Sequence, residues 1–348
     1  MARRARIAEP AADDDEAFPP RKTFALVGHH EALARAARAI RSGRPPQAWL
    51  IAGPPGVGKA TLAYRIARYL LKYGARDDGP ADLAVAANDP VSAQIAARAH
   101  PGLLILKRGL NREGKPMTVL GVDEIRRLAG FFGMTAGAGG WRVAMVDTAD
   151  DMNDNAANAL LKVLEEPPSR SMLMLLANAP GRLLPTIRSR CQRLDLRPLA
   201  EADVDAELAR RLPEMPAAER ASLAKLSGGS IGAALRLADE DGLALANEAA
   251  RLIDEAGGPD VPAVLALGEK IARVKDGLES FGDFLGDALA ERIRARAAQD
   301  APRLDRWVAL RERLIASFGR STALHLEPRQ TILSAARAVS QTARRGAL

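Results

Sequence analysis

An apolar run, AWLIA at residues 48–52, passes directly into GPPGVGKAT at 53–61. The spacing of Gly53, Gly58 and Lys59 satisfies the G-x-x-x-x-G-K core of a phosphate-binding loop, placed as such a loop must be, between a strand and a helix predicted from Thr61 to about Lys72. Glycines let the backbone approach phosphate oxygens, successive N–H groups and the helix N-terminus supply partial positive charge, and Lys59 neutralises the outer phosphates. Every position from Gly53 through Pro54, Pro55, Gly56, Val57, Gly58, Lys59 and Ala60 to Thr61 is thus a candidate nucleotide contact. A glycine-rich strand-to-helix turn with no ligand is the alternative reading.

A loop of this kind requires a parallel α/β layer, and the chain supplies one. Five apolar runs stand between Trp49 and Pro198: AWLIA at 48–52, LLIL at 103–106, RVAMVD at 142–147, SMLMLLAN at 171–178 and CQRLDL at 191–196. They alternate with longer helical patterns, and their continuous apolarity suits strands buried on both faces. From Glu201 to about Asp241 the pattern is helical, broken by RLPEMP and SGGS, as in a small lid. After the break at GGPDVP (257–262) long helices follow, with Phe281, Phe284, Leu285 and Leu289 at helical spacing. The expected division is a disordered leader at 1–20, a nucleotide-binding domain at 21–199, a lid at 200–243 and a helical domain at 244–340. No internal repeat is visible, and the final TARRGAL is expected to fray.

Within the loop, the strict pattern ends in Ser or Thr, whose hydroxyl holds magnesium; here Ala60 has none, and Thr61, rotated by about 100° along a helix, is a poor substitute. Asp147 closes the third run, where an acidic residue holds the metal through water, or else it merely ends a strand. The following position is Thr148, which cannot serve as a base at neutral pH.

These features in this order resemble the AAA+ clamp-loader subunits of bacterial DNA replication, and among them the delta-prime family of DNA polymerase III. The resemblance covers about residues 20–240 and is carried by LVGHHEALARAARAIRSGRPPQAWLIAGPPGVGKATLA, by TVLGVDEIRRL and most specifically by NDNAANALLKVLEEPPSRSMLMLLANAPGRLLPTIRSRCQRL at 153–194. It implies a five-stranded AAA+ P-loop domain, a lid and an all-α collar for oligomerisation. It places Asn178 at sensor 1, with a strand-end Asn turning the chain as the alternative. It places Arg190 of Ser189-Arg190-Cys191 at the arginine finger that reaches a neighbour's ATP site, with Arg188 a decoy two residues away. At sensor 2 the family's motors carry an arginine in Gly-Ser-x-Arg, whereas this chain reads Gly229-Ser230-Ile231-Gly232 and has Arg236 one turn on, expected at the surface. Many relatives insert a four-cysteine zinc module after the first helix; residues 72–100 contain no cysteine and are expected to form a helical hairpin or a loose insertion. His29 and His30 fall near the family's adenine-facing segment, or serve as helix cap and surface residues.

Three parts that act on the chain's own nucleotide are therefore altered, at Ala60, Thr148 and Gly232, while the part that acts on a neighbour remains. The reading that follows is a stator with little or no ATPase of its own. It would hold ATP or ADP statically if at all, with weak magnesium and no zinc, and would assemble with tau/gamma and delta subunits to place a sliding clamp on primer-template DNA. The alternative is a self-sufficient AAA+ motor of the tau/gamma type; a small-molecule P-loop kinase would need an acceptor pocket that nothing here indicates. No polymerase chemistry is expected, since no palm-like carboxylate group is visible.

Composition agrees with this reading. One cysteine, Cys191, excludes an internal disulfide and suits a reducing cytosol. No apolar run reaches membrane-span length and the N-terminus has no signal-peptide h-region, so a cytoplasmic location without membrane attachment is expected. The net charge of +7, from 50 basic and 43 acidic residues, has no dense basic block behind it; codon bias accounts for it as well as a nucleic-acid footprint does.

Overall fold

The computed structural model describes residues 18–108, 117, 119–133, 140–239, 241–255, 258, 260–274, 276–299, 304–324 and 326–344. The leader expected over 1–20 falls outside these residues as far as position 17, as do 345–348 of the terminal stretch. The described chain forms two compact units. One runs to Lys225 and includes Gly229–Gly232; the other comprises Leu226–Gly228 and the chain from Ala233 onward, so the division runs through the segment expected to be the lid.

The first unit is built on five parallel strands: β1 (Ala48–Ala52), β2 (Leu103–Leu106), β3 (Arg142–Val146), β4 (Ser171–Ala177) and β5 (Gln192–Asp195), in the spatial order β2-β3-β4-β1-β5. All five apolar runs are strands, each shortened by no more than two residues at its ends. β1 and β4 are buried along their whole length. Alternate residues feed opposite layers. Trp49, Ile51, Val143, Met145, Met172, Met174 and Leu176 face one cluster, with α1 (His30–Arg41) and α2 (Lys59–Tyr73). Leu50, Ala144, Val146, Leu173 and Leu175 face the other, with α4 (Val122–Gly133), α5 (Asp154–Glu165) and the short α6 (Pro185–Arg188). Each fully buried side chain of Leu or Ile size is worth about 1.5–3 kcal/mol relative to exposure, so the two layers fix strand register strongly. β5, at the edge, keeps only Leu194 buried and pairs Arg193 with Asp195 at 2.7 Å, a charged edge that discourages further strand pairing.

Residues 72–100 are not a helical hairpin. α2 continues to Tyr73, and a non-helical stretch leads to a seven-residue helix, α3 (Pro90–Ala96). The stretch is fastened to α2: Arg65 donates to the carbonyl of Asp82 at 2.8 Å and its carboxylate at 2.7 Å, Tyr69 donates to Arg76 O at 2.9 Å, and Leu83 is buried. α7 (Glu201–Arg211) and α8 (Ala217–Leu226) follow the sheet; α9 (Ile231–Leu237) follows the SGGS turn.

The second unit contains α10 (Gly242–Asp254), α11 (Val261–Arg273), α12 (Gly277–Ala297), α13 (Leu304–Ala323) and α14 (Pro328–Ala343). α12 packs against α10 and α13, and α11 against α14. At the α12–α13 crossing Gly282 is required by proximity, because a Cβ there would lie 2.7 Å from the Phe318 side chain. Phe281 and Phe318 meet with ring centroids 6.1 Å apart. Arg236, expected at the surface, is half-buried and lies 3.9 Å from Asp283 in this unit. Among the described residues no helix is long and apolar enough to cross a membrane.

A buried cation helps to hold the chain before α1, where Arg65 also donates to Phe24 O at 3.0 Å. Arg68 on α2 is 1% exposed, donates to Arg21 O at 2.6 Å and Thr23 O at 3.3 Å, and stacks 4.2 Å from the Phe24 ring centroid. Burial pulls its guanidinium down to about 10, leaving it charged at neutral pH. Arg68→Met should leave those carbonyls unpaired and cost about 3 kcal/mol. The loss would show in a urea melt and in faster tryptic cleavage after Arg21 and Lys22.

Candidate functional site

Because β1, β3 and β4 are parallel and adjacent, the turns after them meet at one edge of the sheet. That edge holds the P-loop after β1, Asp147 after β3 and Asn178 after β4. Lys59 is the first residue of α2, entered through Gly58 in a left-handed conformation. The residue is 9% exposed, and its Nζ donates to Gly53 O at 2.8 Å, Pro54 O at 2.7 Å and Asn178 Oδ1 at 2.7 Å. The two residues assigned to phosphate contact and to sensor 1 are thus bonded to each other. Desolvation lowers the Lys59 ammonium to about 8, opposed by the charges of Asp147 and Asp150.

Asn178 is itself fixed by a residue that sequence reasoning missed. Asp150, buried in the turn after β3, accepts the N–H of Asn178 at 3.1 Å and of Ala179 at 2.8 Å. The acidic run Asp147, Asp150, Asp151 was visible, but nothing local says which carboxylate turns inward. Asp147 lies instead 3.3 Å from Lys107 Nζ, and Thr148 adopts a left-handed backbone with φ 52°. His29 stands at the N-cap of α1 but caps nothing with its side chain. Its Nε2 meets Val57 O at 2.8 Å, holding the P-loop by its carbonyl, and burial lowers the imidazole's pKa, favouring the neutral ring.

A second clamp comes from the SGGS turn. Ser230 Oγ donates to Pro55 O at 2.9 Å, and Gly232 N donates to Gly56 O at 3.0 Å. Gly56 has φ +71°, and a Cβ there would meet Ser230 Oγ at 2.4 Å; a Cβ on Gly232 would lie 2.8 Å from Gly56 Cα. At the position where the resemblance leads one to look for sensor 2, Gly232 lies against the loop backbone, where only a hydrogen fits.

Magnesium does not fit these residues. Position 60 offers a methyl group, partly packed into the core, and the carboxylate of Asp147 faces an ammonium. A nucleotide's phosphates would have to draw Lys59 away from three acceptors and work around a loop held through Val57, Pro55 and Gly56.

Arg190 lies elsewhere. It precedes β5, whose first residue Gln192 pairs with Trp49 near the start of β1, so the guanidinium sits at the opposite edge of the sheet. It is 38% exposed, donates to Thr186 O at 3.1 Å and to Glu165 Oε1 at 3.0 Å, and borders a cavity of about 270 Å³ with Pro46, Ala48, Ser171 and Leu173, residues at the strand starts. Arg188 is also exposed. Burial pushes the neighbouring Cys191 thiol up to about 11, leaving it protonated and inert.

A parallel sheet in this order, with a P-loop after β1, an acid after β3 and an amide after β4, defines an AAA+-type P-loop α/β protein. Residues 28–200 match the family model described as DNA polymerase III, delta subunit. It is 41% identical over 191 residues to "DNA polymerase III subunit delta'" of Pseudomonas aeruginosa, covering 55% of each chain, and 36% identical over 203 residues to the protein of the same name from Escherichia coli K12, covering 58% of this chain and 57% of that one. It is 28% identical to "DNA polymerase III subunit gamma/tau" of Mycobacterium bovis, covering 56% of this chain and 32% of the relative. The chain spans about half the length of the delta' relatives it matches.

Two outcomes follow for this edge. Gly232→Arg should fail to create a nucleotide-sensing cation and should instead lower the melting temperature by displacing the turn from the loop, at a cost of about 1–3 kcal/mol. In lysine-labelled NMR spectra, the Lys59 Cε resonance should titrate with a midpoint near pH 8, the side chain losing its charge as pH rises while other lysines keep theirs; a midpoint near 10 would contradict the burial described.

Proposed function

We propose that the chain acts as a delta-prime-type stator of the DNA polymerase III clamp loader, presenting Arg190 to the ATP site of an adjacent tau/gamma subunit. One observation carries the reading: the finger candidate and the P-loop stand at opposite edges of one parallel sheet. β1, which connects them, is five residues long, or roughly 16 Å. A side chain at the strand starts cannot serve a phosphate at the strand ends of the same molecule. If this guanidinium meets a transferring phosphoryl group, that group belongs to another subunit, where a planar permanent cation stabilises the developing charge.

The cis site supports the same reading. The metal hydroxyl is absent at Ala60, the base position is Thr148, the sensor-2 position is filled by backbone, and Lys59 is engaged by its own loop. The P-loop then works as scaffold, organising the sheet edge around Lys59, Asn178 and Asp150; ATP or ADP, if held, is held without turnover. The proposed partners are tau/gamma and delta, with sliding clamp and primer-template DNA reached through the complex, and α10–α14 contribute to the collar.

The purified chain should hydrolyse ATP no faster than its Lys59→Ala variant. A loader reconstituted with Arg190→Ala should assemble normally and lose at least a hundredfold in ATP turnover, in line with the typical worth of such an arginine. Lys59-dependent hydrolysis by the isolated chain would favour the motor reading; normal turnover by the Arg190→Ala loader would remove the finger.

A further inference from the structure

We infer that Glu165 is a positioning residue for Arg190, holding the guanidinium ready for delivery to the neighbouring subunit. The inference rests on the finger reading above and adds a residue to it.

Two acceptors on different elements hold the guanidinium. Thr186 O belongs to α6, the element just before the finger; Glu165 Oε1 belongs to the last turn of α5. An arginine with four rotatable bonds, left in solvent, samples many rotamers, and each must be given up when the side chain meets phosphate. Two anchors, one on each terminal nitrogen, remove that freedom beforehand and leave the remaining N–H groups of the planar fork for an incoming anion.

The position of the carboxylate gives a second reason. Glu165 closes α5 and Glu166 follows it, so two acids stand at the negative end of a helix, where basic residues are normally favoured. Taken alone, this arrangement is electrostatically uphill. Arg190 offsets it and gains an oriented partner. The backbone around Glu165 is stiff: Pro167 and Pro168 stop the helix, Glu166 sits at φ −127° and ψ 65°, and Ser171 Oγ ties back to Pro168 O at 2.6 Å. An exposed ion pair adds little stability, so the pair is better explained by aim than by folding.

The test uses the reconstituted loader with Glu165→Ala, Glu165→Gln, Arg190→Ala and the Glu165→Ala/Arg190→Ala double variant. Glu165→Ala should lower kcat for ATP about tenfold, the scale expected for a misaligned group, with KM within twofold and assembly and melting temperature unchanged. Glu165→Gln, which keeps an amide oxygen as acceptor, should recover to within about threefold of wild type. The double variant should be no slower than Arg190→Ala alone, because the two residues act as one unit. The proposal falls if Glu165→Ala turns over at the wild-type rate or faster, if its effect lies in KM or in assembly, or if Gln does no better than Ala. Those failures leave Arg190→Ala crippling and the finger reading intact; wild-type turnover by Arg190→Ala would overturn both.

Discussion

The direction of the strands governs everything else in this molecule. A parallel sheet has two chemically different edges, one collecting the turns that leave strands and the other the turns that enter them. β1 lies between β4 and β5, so the loop leaving it faces Asn178, while Arg190, two residues before β5, stands beside the start of β1. The P-loop and the exposed arginine are thereby separated by the length of a strand. No change of side chain brings them together, and burial on both faces of β1 and β4 prevents the register slip that would.

At the strand ends the chain has turned a ligand cradle into a self-satisfied one. Lys59 spends its three N–H donors on Gly53, Pro54 and Asn178, and the loop carbonyls of Val57, Pro55 and Gly56 are taken by His29, Ser230 and Gly232. The Lys59 bonds take the place of phosphate or water acceptors and the carbonyl bonds the place of water donors, which is what buried polar groups require. The lowered pKa of Lys59 follows from the same enclosure. The methyl group at Ala60, the hydroxyl at Thr148 and the internal bonds of the loop thus occur together at one end of the sheet.

Much of this was legible in the residues. The continuous apolar runs could only be buried strands, and the Gly and Lys spacing fixed the loop between β1 and α2. The missing hydroxyl at Ala60 and missing base at Thr148 are read directly, because each is the absence of a functional group. Asp150 was not legible, since an acid in an acidic run carries no mark of which way it turns. Residues 72–100 were legible only as lacking cysteine; their attachment to α2 through Arg65 and Tyr69 depends on backbone carbonyls, which every sequence has everywhere. Gly232 read as a lost cation, whereas the structure shows a contact with Gly56 that admits no side chain.

The sequence by itself determined the fold class and which groups stand at Ala60, Thr148, Arg190 and Gly232, because composition and spacing decide which groups exist and which elements can be buried. Only the tertiary structure decided which edge each group occupies, which acceptors hold Lys59 and that Glu165 meets Arg190. Those outcomes depend on residues far apart in the chain approaching to hydrogen-bond distance, and local pattern carries no information about such approach.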